Sequence, residues 1–213
     1  MNKDQEIISI LENKDVEALK EWIDKGGDAA MILGKADDYY RESLIQYALD
    51  EIEDDEETYI EIIEILIENG ADVNYTHEAY NAPVFTAISF NNPKILKLLL
   101  DHGAHVNLIG EERETPLIKV ALDGNIELIR LLLPYSSEEF INKSGSHQAK
   151  TPLGLAFHFY YQNLEMIELL LQYKADPFVN DGEGYLTIEN IRKGIDENLK
   201  KKILDLVDQY TAK

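Results

Sequence analysis

The chain has 213 residues, 45% of them hydrophobic, no cysteine, and 41 Asp and Glu against 20 Lys and Arg, for a net charge of −21. A surface this acidic repels nucleic acid and anionic lipid, and without cysteine there is no disulfide stapling, thiolate metal site or cysteine nucleophile. The start, Met1-Asn2-Lys3-Asp4-Gln5-Glu6, is charged rather than an apolar signal core, and no run approaches the roughly 20 apolar residues of a membrane span, so a cytoplasmic protein is expected.

In chain order, Ile7, Ile8 and Leu11 mark a first helix, and Lys14 to Asp28 reads as a second helix with its exit. After the stretch Gly34 to Tyr40 a further helix pair spans about residues 41–74, closing on Asn69-Gly70-Ala71-Asp72-Val73-Asn74. That cassette returns as His102-Gly103-Ala104-His105-Val106-Asn107, and Pro83 returns as Pro116, each 33 residues later. Thr115-Pro116-Leu117 and Thr151-Pro152-Leu153 open helices, because Thr supplies a capping oxygen and Pro suits the first helical position; Ala82-Pro83-Val84 is a weaker version. Second helices follow with apolar stripes at Ile95 to Leu100, Ile129 to Leu133 and Met166 to Leu171. Gly70 and Gly103 then end their helices in the left-handed conformation that costs glycine little. At the C-terminus, Ile191, Ile195, Leu199, Ile203, Leu204 and Val207, flanked by lysines, read as a capping helix pair.

The Thr-Pro-Leu openings, the leucine-rich second helices and the Gly-Ala-Asp-Val-Asn exit resemble ankyrin repeats. The resemblance implies an all-α solenoid of about six helix-turn-helix units with hairpin-like loops, forming a single domain over 1–213 with units near 4–30, 41–74, 82–107, 115–142, 151–178 and 186–211. It also implies protein binding at the concave face and loop tips. The sequence departs from the pattern in three places. Phe85, Ile118 and Gly154 stand where the family commonly has His, the fourth exit from Leu133 to Asn142 is longer and broken by Pro134, and the first loop, Gly34 to Tyr40, is long.

Two turns between paired helices carry insertions. The first, in the second unit, includes Asp50, Glu51, Glu53, Asp54, Asp55, Glu56 and Glu57, seven acids in the eight residues 50–57. It reads either as a solvated helix extension or loop, or as a docking strip for a basic partner. The second, in the fifth unit, is His158-Phe159-Tyr160-Tyr161-Gln162. Here Phe159 and one tyrosine tuck over the neighbouring unit, or the aromatics, with Phe90 at the matching turn of the third unit, are exposed binding anchors. The resemblance adds loop-tip candidates: Glu78 and Asn81; Glu111, Glu112 and Glu114; Ser146, His147 and Lys150.

Catalysis finds no support. With 41 carboxylates in the chain, close acid pairs arise by chance and identify no general acid and base. His77, His102, His105, His147 and His158 are scattered, and neither a phosphate loop nor a Gly-x-Ser-x-Gly elbow occurs. No enzyme activity, cofactor or metal is expected. Residues 1–106 hold 24 acids and 8 bases (−16) and residues 107–213 hold 17 acids and 12 bases (−5). Acidic loop tips with an aromatic seat suit a basic protein partner, bound either by an adaptor or scaffold or by a stoichiometric inhibitor, such as an immunity protein, that blocks a basic enzyme or toxin; an enzyme is the remaining, least favoured alternative, because a thin two-helix layer rarely encloses a pocket.

Overall fold

The computed structural model describes residues 3–34, 41–52, 55–76, 82–145, 150–160, 163–180, 184, 186–191 and 195–212. The chain divides into two compact units, Met1–His105 and Val106–Lys213, and the same local rule builds each.

The first unit holds α1 (Lys3–Glu12), α2 (Val16–Asp24), α3 (Leu44–Asp50), α4 (Glu56–Glu68), α5 (Pro83–Ser89) and α6 (Pro93–Asp101). Each odd helix packs on the even helix after it, α3 packs on α5, and α2, α4 and α6 pack in a row, giving two helical layers. The residues between the layers recur at helical spacing: Ile7 and Leu11; Leu19 and Trp22; Leu44, Ile45, Ala48 and Leu49; Tyr59, Ile62, Ile63 and Leu66; Ile95, Leu96, Leu99 and Leu100. All are buried. Between α2 and α3, two-residue strands β1 (Ile32–Leu33) and β2 (Glu42–Ser43) pair antiparallel, with Ile32 opposite Ser43 and Leu33 opposite Glu42. The long first loop therefore still begins and ends as a hairpin.

The second unit holds α7 (Pro116–Asp123), α8 (Ile126–Leu132), α9 (Glu138–Ile141), α10 (Pro152–Phe159), α11 (Leu164–Gln172) and α12 (Glu197–Thr211), with 3-10 turns at Glu111–Arg113, Leu133–Tyr135 and Thr187–Asn190. The α7–α10 layer continues onto the Thr187–Asn190 turn, and α8, α11 and α12 form the other layer. In the last pair a 3-10 turn replaces the expected first helix. There Thr187 donates its amide to Val179 O (2.9 Å) and Ile188 donates to Pro177 O (2.7 Å), so these donors serve the preceding exit instead of a helix.

Helix starts follow the capping chemistry. Thr115 Oγ1 accepts from Ile118 N and Thr151 Oγ1 from Gly154 N, both at 3.1 Å. Asn92, Asn125 and Asn163 cap α6, α8 and α11 in the same way, accepting at 3.0 to 3.2 Å. The caps thus survive where the family's usual histidine is missing. Helix ends follow the backbone requirement: Gly70 (φ 97°) and Gly103 (φ 85°) are left-handed, as expected, while Lys174 (φ 69°) takes the same conformation after α11 despite its Cβ.

An asparagine hook joins successive exits. Asn74 donates Nδ2 to Gly103 O (3.1 Å) and accepts at Oδ1 from His105 N (2.7 Å). Asn107 does the same with Tyr135 O (3.2 Å) and Ser137 N (2.8 Å), and Asn142 with Lys174 O (3.1 Å) and Asp176 N (2.6 Å). The Pro134-broken exit is irregular, as the sequence indicates, yet its 3-10 turn and α9 bring Asn142 into the same role.

Candidate functional site

Candidate residues in the first unit gather where α3 ends and α4 begins. Asp55 caps α4: Oδ1 accepts from Thr58 N (3.3 Å), Oδ2 accepts from Thr58 Oγ1 (2.8 Å), and these bonds hold its carboxyl below the usual range. Glu56 pairs with Lys94 at 3.2 Å, both largely exposed, a contact of small value in water. These two acids of the run therefore serve structure. Glu51 and Glu57 are exposed and make no ion pair among the described residues. Asp50 accepts from Gln46 Nε2 at 2.8 Å, and partial loss of water around its carboxyl raises its pKa.

Three residues that the sequence did not single out complete this neighbourhood. Desolvation, followed by the charges of Asp50 and Glu51, raises the carboxyl pKa of Glu42. Tyr47 donates its hydroxyl to Glu12 Oε1 (3.2 Å), and desolvation together with the charges of Glu12 and Glu51 pushes it up to about 12. Gln46 Nε2 also donates to Thr86 Oγ1 (3.1 Å), tying α3 to α5. Acids thus crowd the C-terminal end of α3, where the helix dipole is already negative and no basic residue occupies the last turn. One turn beyond Thr86, Phe90 is 46% exposed at the end of α5.

In the second unit the aromatic turn divides in two. Tyr160 turns inward, donating its hydroxyl to Leu122 O (2.5 Å) with its ring over Gly124, where an added Cβ would collide with it. Phe159 stays outside, 43% exposed, with the His158 ring edge-on at a centroid distance of 4.6 Å. Tucking therefore describes Tyr160 and exposure describes Phe159. Glu111 is exposed on the 3-10 turn Glu111–Arg113, and Glu114 lies half-buried beside it with its carbonyl accepting from Gly110 N (2.8 Å). Lys150, read from the sequence as a loop-tip contact, is instead 8% exposed next to the Thr151 cap. Its side chain is taken up by the fold. Glu53, Asp54, Glu78, Asn81, Ser146, His147 and Tyr161, and the side chain of Glu112, lie outside the described residues.

Apolar exposure in the second unit extends beyond the turns, to Ile109, Tyr135, Tyr173, Phe178 and Leu186. Phe178 carried a readable signal, because Lys174-Ala175-Asp176-Pro177-Phe178 aligns with Gly70-Ala71-Asp72-Val73-Asn74 and so places a phenyl ring at the hook position. His102 Nδ1 lies 2.9 Å from Leu98 O, and the backbone amide of His105 serves the Asn74 hook. Among the described residues no three His, Asp or Glu converge as a metal site, and no helix is long and apolar enough to cross a membrane.

The family model for ankyrin repeats, in three copies, matches residues 84–181. Two similar solved structures are an ankyrin repeat domain from Acinetobacter baumannii AYE (24% identity, 94% of this chain and 96% of that chain covered, TM-score 0.72) and the ankyrin repeat protein EF0377 (21% identity, 98% and 96% covered, TM-score 0.64). No curated protein matches the chain. Ankyrin repeats are protein–protein interaction modules, a family of binding scaffolds rather than enzymes. The family model places ankyrin repeats in residues 84–181, and the helix pairs, proline-opened first helices and hooked exits give the chain the fold of ankyrin-repeat proteins.

Proposed function

We propose that the chain is a cytoplasmic protein-binding array, 1–213, that has no chemistry of its own and engages a partner with a basic surface through its helix-to-helix turns and loop tips. The observation that carries this reading is the crowding of Glu42, Asp50 and Glu51 at the end of α3 without an ion-pairing cation among the described residues. Such a site gains from an incoming positive charge and steers it at long range. An adaptor and a stoichiometric inhibitor share this chemistry; tight binding that weakens steeply as salt shortens the Debye length below about 10 Å favours the inhibitor.

The test is capture of a basic partner at low and high salt by the wild type and by a variant carrying Glu51→Lys, Asp54→Lys and Glu57→Lys. This variant spares Asp55, which caps α4, and Glu56, which pairs with Lys94. The expected result is loss of capture with the thermal transition nearly unchanged. Equal capture by the reversed protein refutes the proposal.

A further inference from the structure

We propose that the groove between α1 and α2 seats an amphipathic helix of the protein partner. That helix lays apolar side chains on Ile10, Ala18 and Trp22, sets a neutral acceptor such as Gln against the Trp22 indole, and turns Lys or Arg toward the acids of the rim. This rests on the reading of the chain as a binder of a basic protein and adds a contact surface apart from the turns and loop tips. The groove holds about 360 Å³. Trp22 lines it and is 8% exposed, with one face of its ring against the bare backbone of Gly27. Its indole N–H meets no acceptor among the described residues and, unlike Arg41 Nε, is not sealed from water, so a nearly buried donor opens into the groove. A buried donor left without a partner gains from an acceptor brought by a ligand.

The repeat itself says what shape the groove accepts. Counted from the capping residues Asp15 and Asn92, Ile10, Ala18 and Trp22 correspond to Ala87, Ile95 and Leu99 of the α5–α6 pair. Those three are fully buried, in a pair that has the helices α3 and α4 packed before it. The α1–α2 pair has no described helix before it, and there Ile10 and Ala18 are only half-buried. A face built to lie under helices is thus open, the geometry of helix-in-groove recognition. Charge sets the character of the incoming helix. Glu6, Asp15 and Glu21 stand exposed at the rim against one cation, Lys25. Lys25 is already bonded to Glu21 at 2.9 Å, and that bond, aided by the charge of Glu6, raises its pKa. The rim is left net negative and suits basic flanks.

The probe is a capped peptide of about 15 residues, made of Leu, Lys and Ala with one central Gln and its leucines at helical spacing, titrated into isotopically labelled full-length protein. Trp22 is the single tryptophan of the chain, so one indole N–H resonance reports on the groove. The expected result is a saturable shift of that resonance together with the backbone amides of residues 10, 18 and 25, and no shift with a peptide carrying Glu in place of Lys. Ala18→Arg fills the groove from a half-buried position; it should abolish the shift with the thermal transition nearly unchanged. Trp22→Phe keeps a ring but removes the donor, and it should weaken the affinity, read from the backbone amides, about threefold to tenfold. An indole resonance that stays in place while amides elsewhere move, equal binding of the Glu peptide, or unchanged affinity in Ala18→Arg or Trp22→Phe overturns the groove. Capture of a basic partner that survives Ala18→Arg refutes the groove and leaves the reading of the turns standing. A groove that fills as expected in a protein that captures no basic partner refutes the broader reading alone.

Discussion

Replacing Gly124 by Ala tests whether the α10–α11 turn is locked onto the α7–α8 turn as the structure shows. Gly124 has φ 69°, and an alanine held there costs about 1 kcal/mol. Its Cβ would also fall against the Tyr160 ring. Moving that ring breaks the 2.5 Å bond from the Tyr160 hydroxyl to Leu122 O, worth about 1 kcal/mol net. The single substitution should therefore cost about 2 kcal/mol, roughly half from backbone strain and half from the displaced tyrosine. In a Tyr160→Ala background only the backbone half remains, so Gly124→Ala should then cost about 1 kcal/mol, a coupling energy near 1 kcal/mol. Urea titrations of the four proteins of this cycle, followed by circular dichroism, give the coupling directly. Equal cost in both backgrounds, within about 0.3 kcal/mol, would show that the ring does not rest on Gly124.

Two further outcomes follow from the first unit's acids and from the hooks. Because the folded protein raises the carboxyl pKa values of Glu42 and Asp50, it binds their protons more tightly than the unfolded chain does. Their contribution is most favourable below the ordinary carboxylate pKa of about 4 and is lost as pH rises through the raised values. Glu42→Gln should therefore stabilise the protein at pH 7 and flatten its stability between pH 4 and 7; a variant melting like the wild type at pH 7 contradicts this. Asn142→Ala removes bonds to Glu138 O (3.0 Å), Lys174 O (3.1 Å) and Asp176 N (2.6 Å). In this exposed setting it should cost about 1–2 kcal/mol by urea titration, and a loss under about 0.5 kcal/mol would show that water replaces the hook at no expense.

Legibility in the sequence followed the range of the interactions. Helix openings at Pro83, Pro116 and Pro152, the left-handed Gly70 and Gly103, and the leucine stripes are set by residues within a few positions of one another, and pattern alone reveals them. The hooks were hidden although Asn74 and Asn107 were visible in the cassette, because their partners lie 29 and 31 residues away for Asn74, and 28 and 30 away for Asn107. Tyr160 and Phe159 are adjacent, but the contacts that distinguish them, the bare backbone at Gly124 and the Leu122 carbonyl, lie 36 and 38 residues earlier in the sequence. Lys150 misled because a charge at a loop position suggests exposure, whereas the fold there covers its side chain. The acidic run straddles the turn, with Asp50 ending α3 and Glu56 and Glu57 opening α4, and its division into Asp55 and Glu56, which serve the helix and its neighbour, and Glu51 and Glu57, which do not, depends on the partners Thr58 and Lys94.

The hooks fix spacing where second helices end, and the two insertions enter where second helices begin. One edge of each repeat thus acts as a ruler and the other as an open margin. Residues can be added after α3 or α10 without altering the interval that Asn74, Asn107 and Asn142 measure from one exit to the next. The α10–α11 turn is nevertheless pinned once, by the Tyr160 hydroxyl on Leu122 O, so a foreign peptide loop grafted there has to enter after that residue.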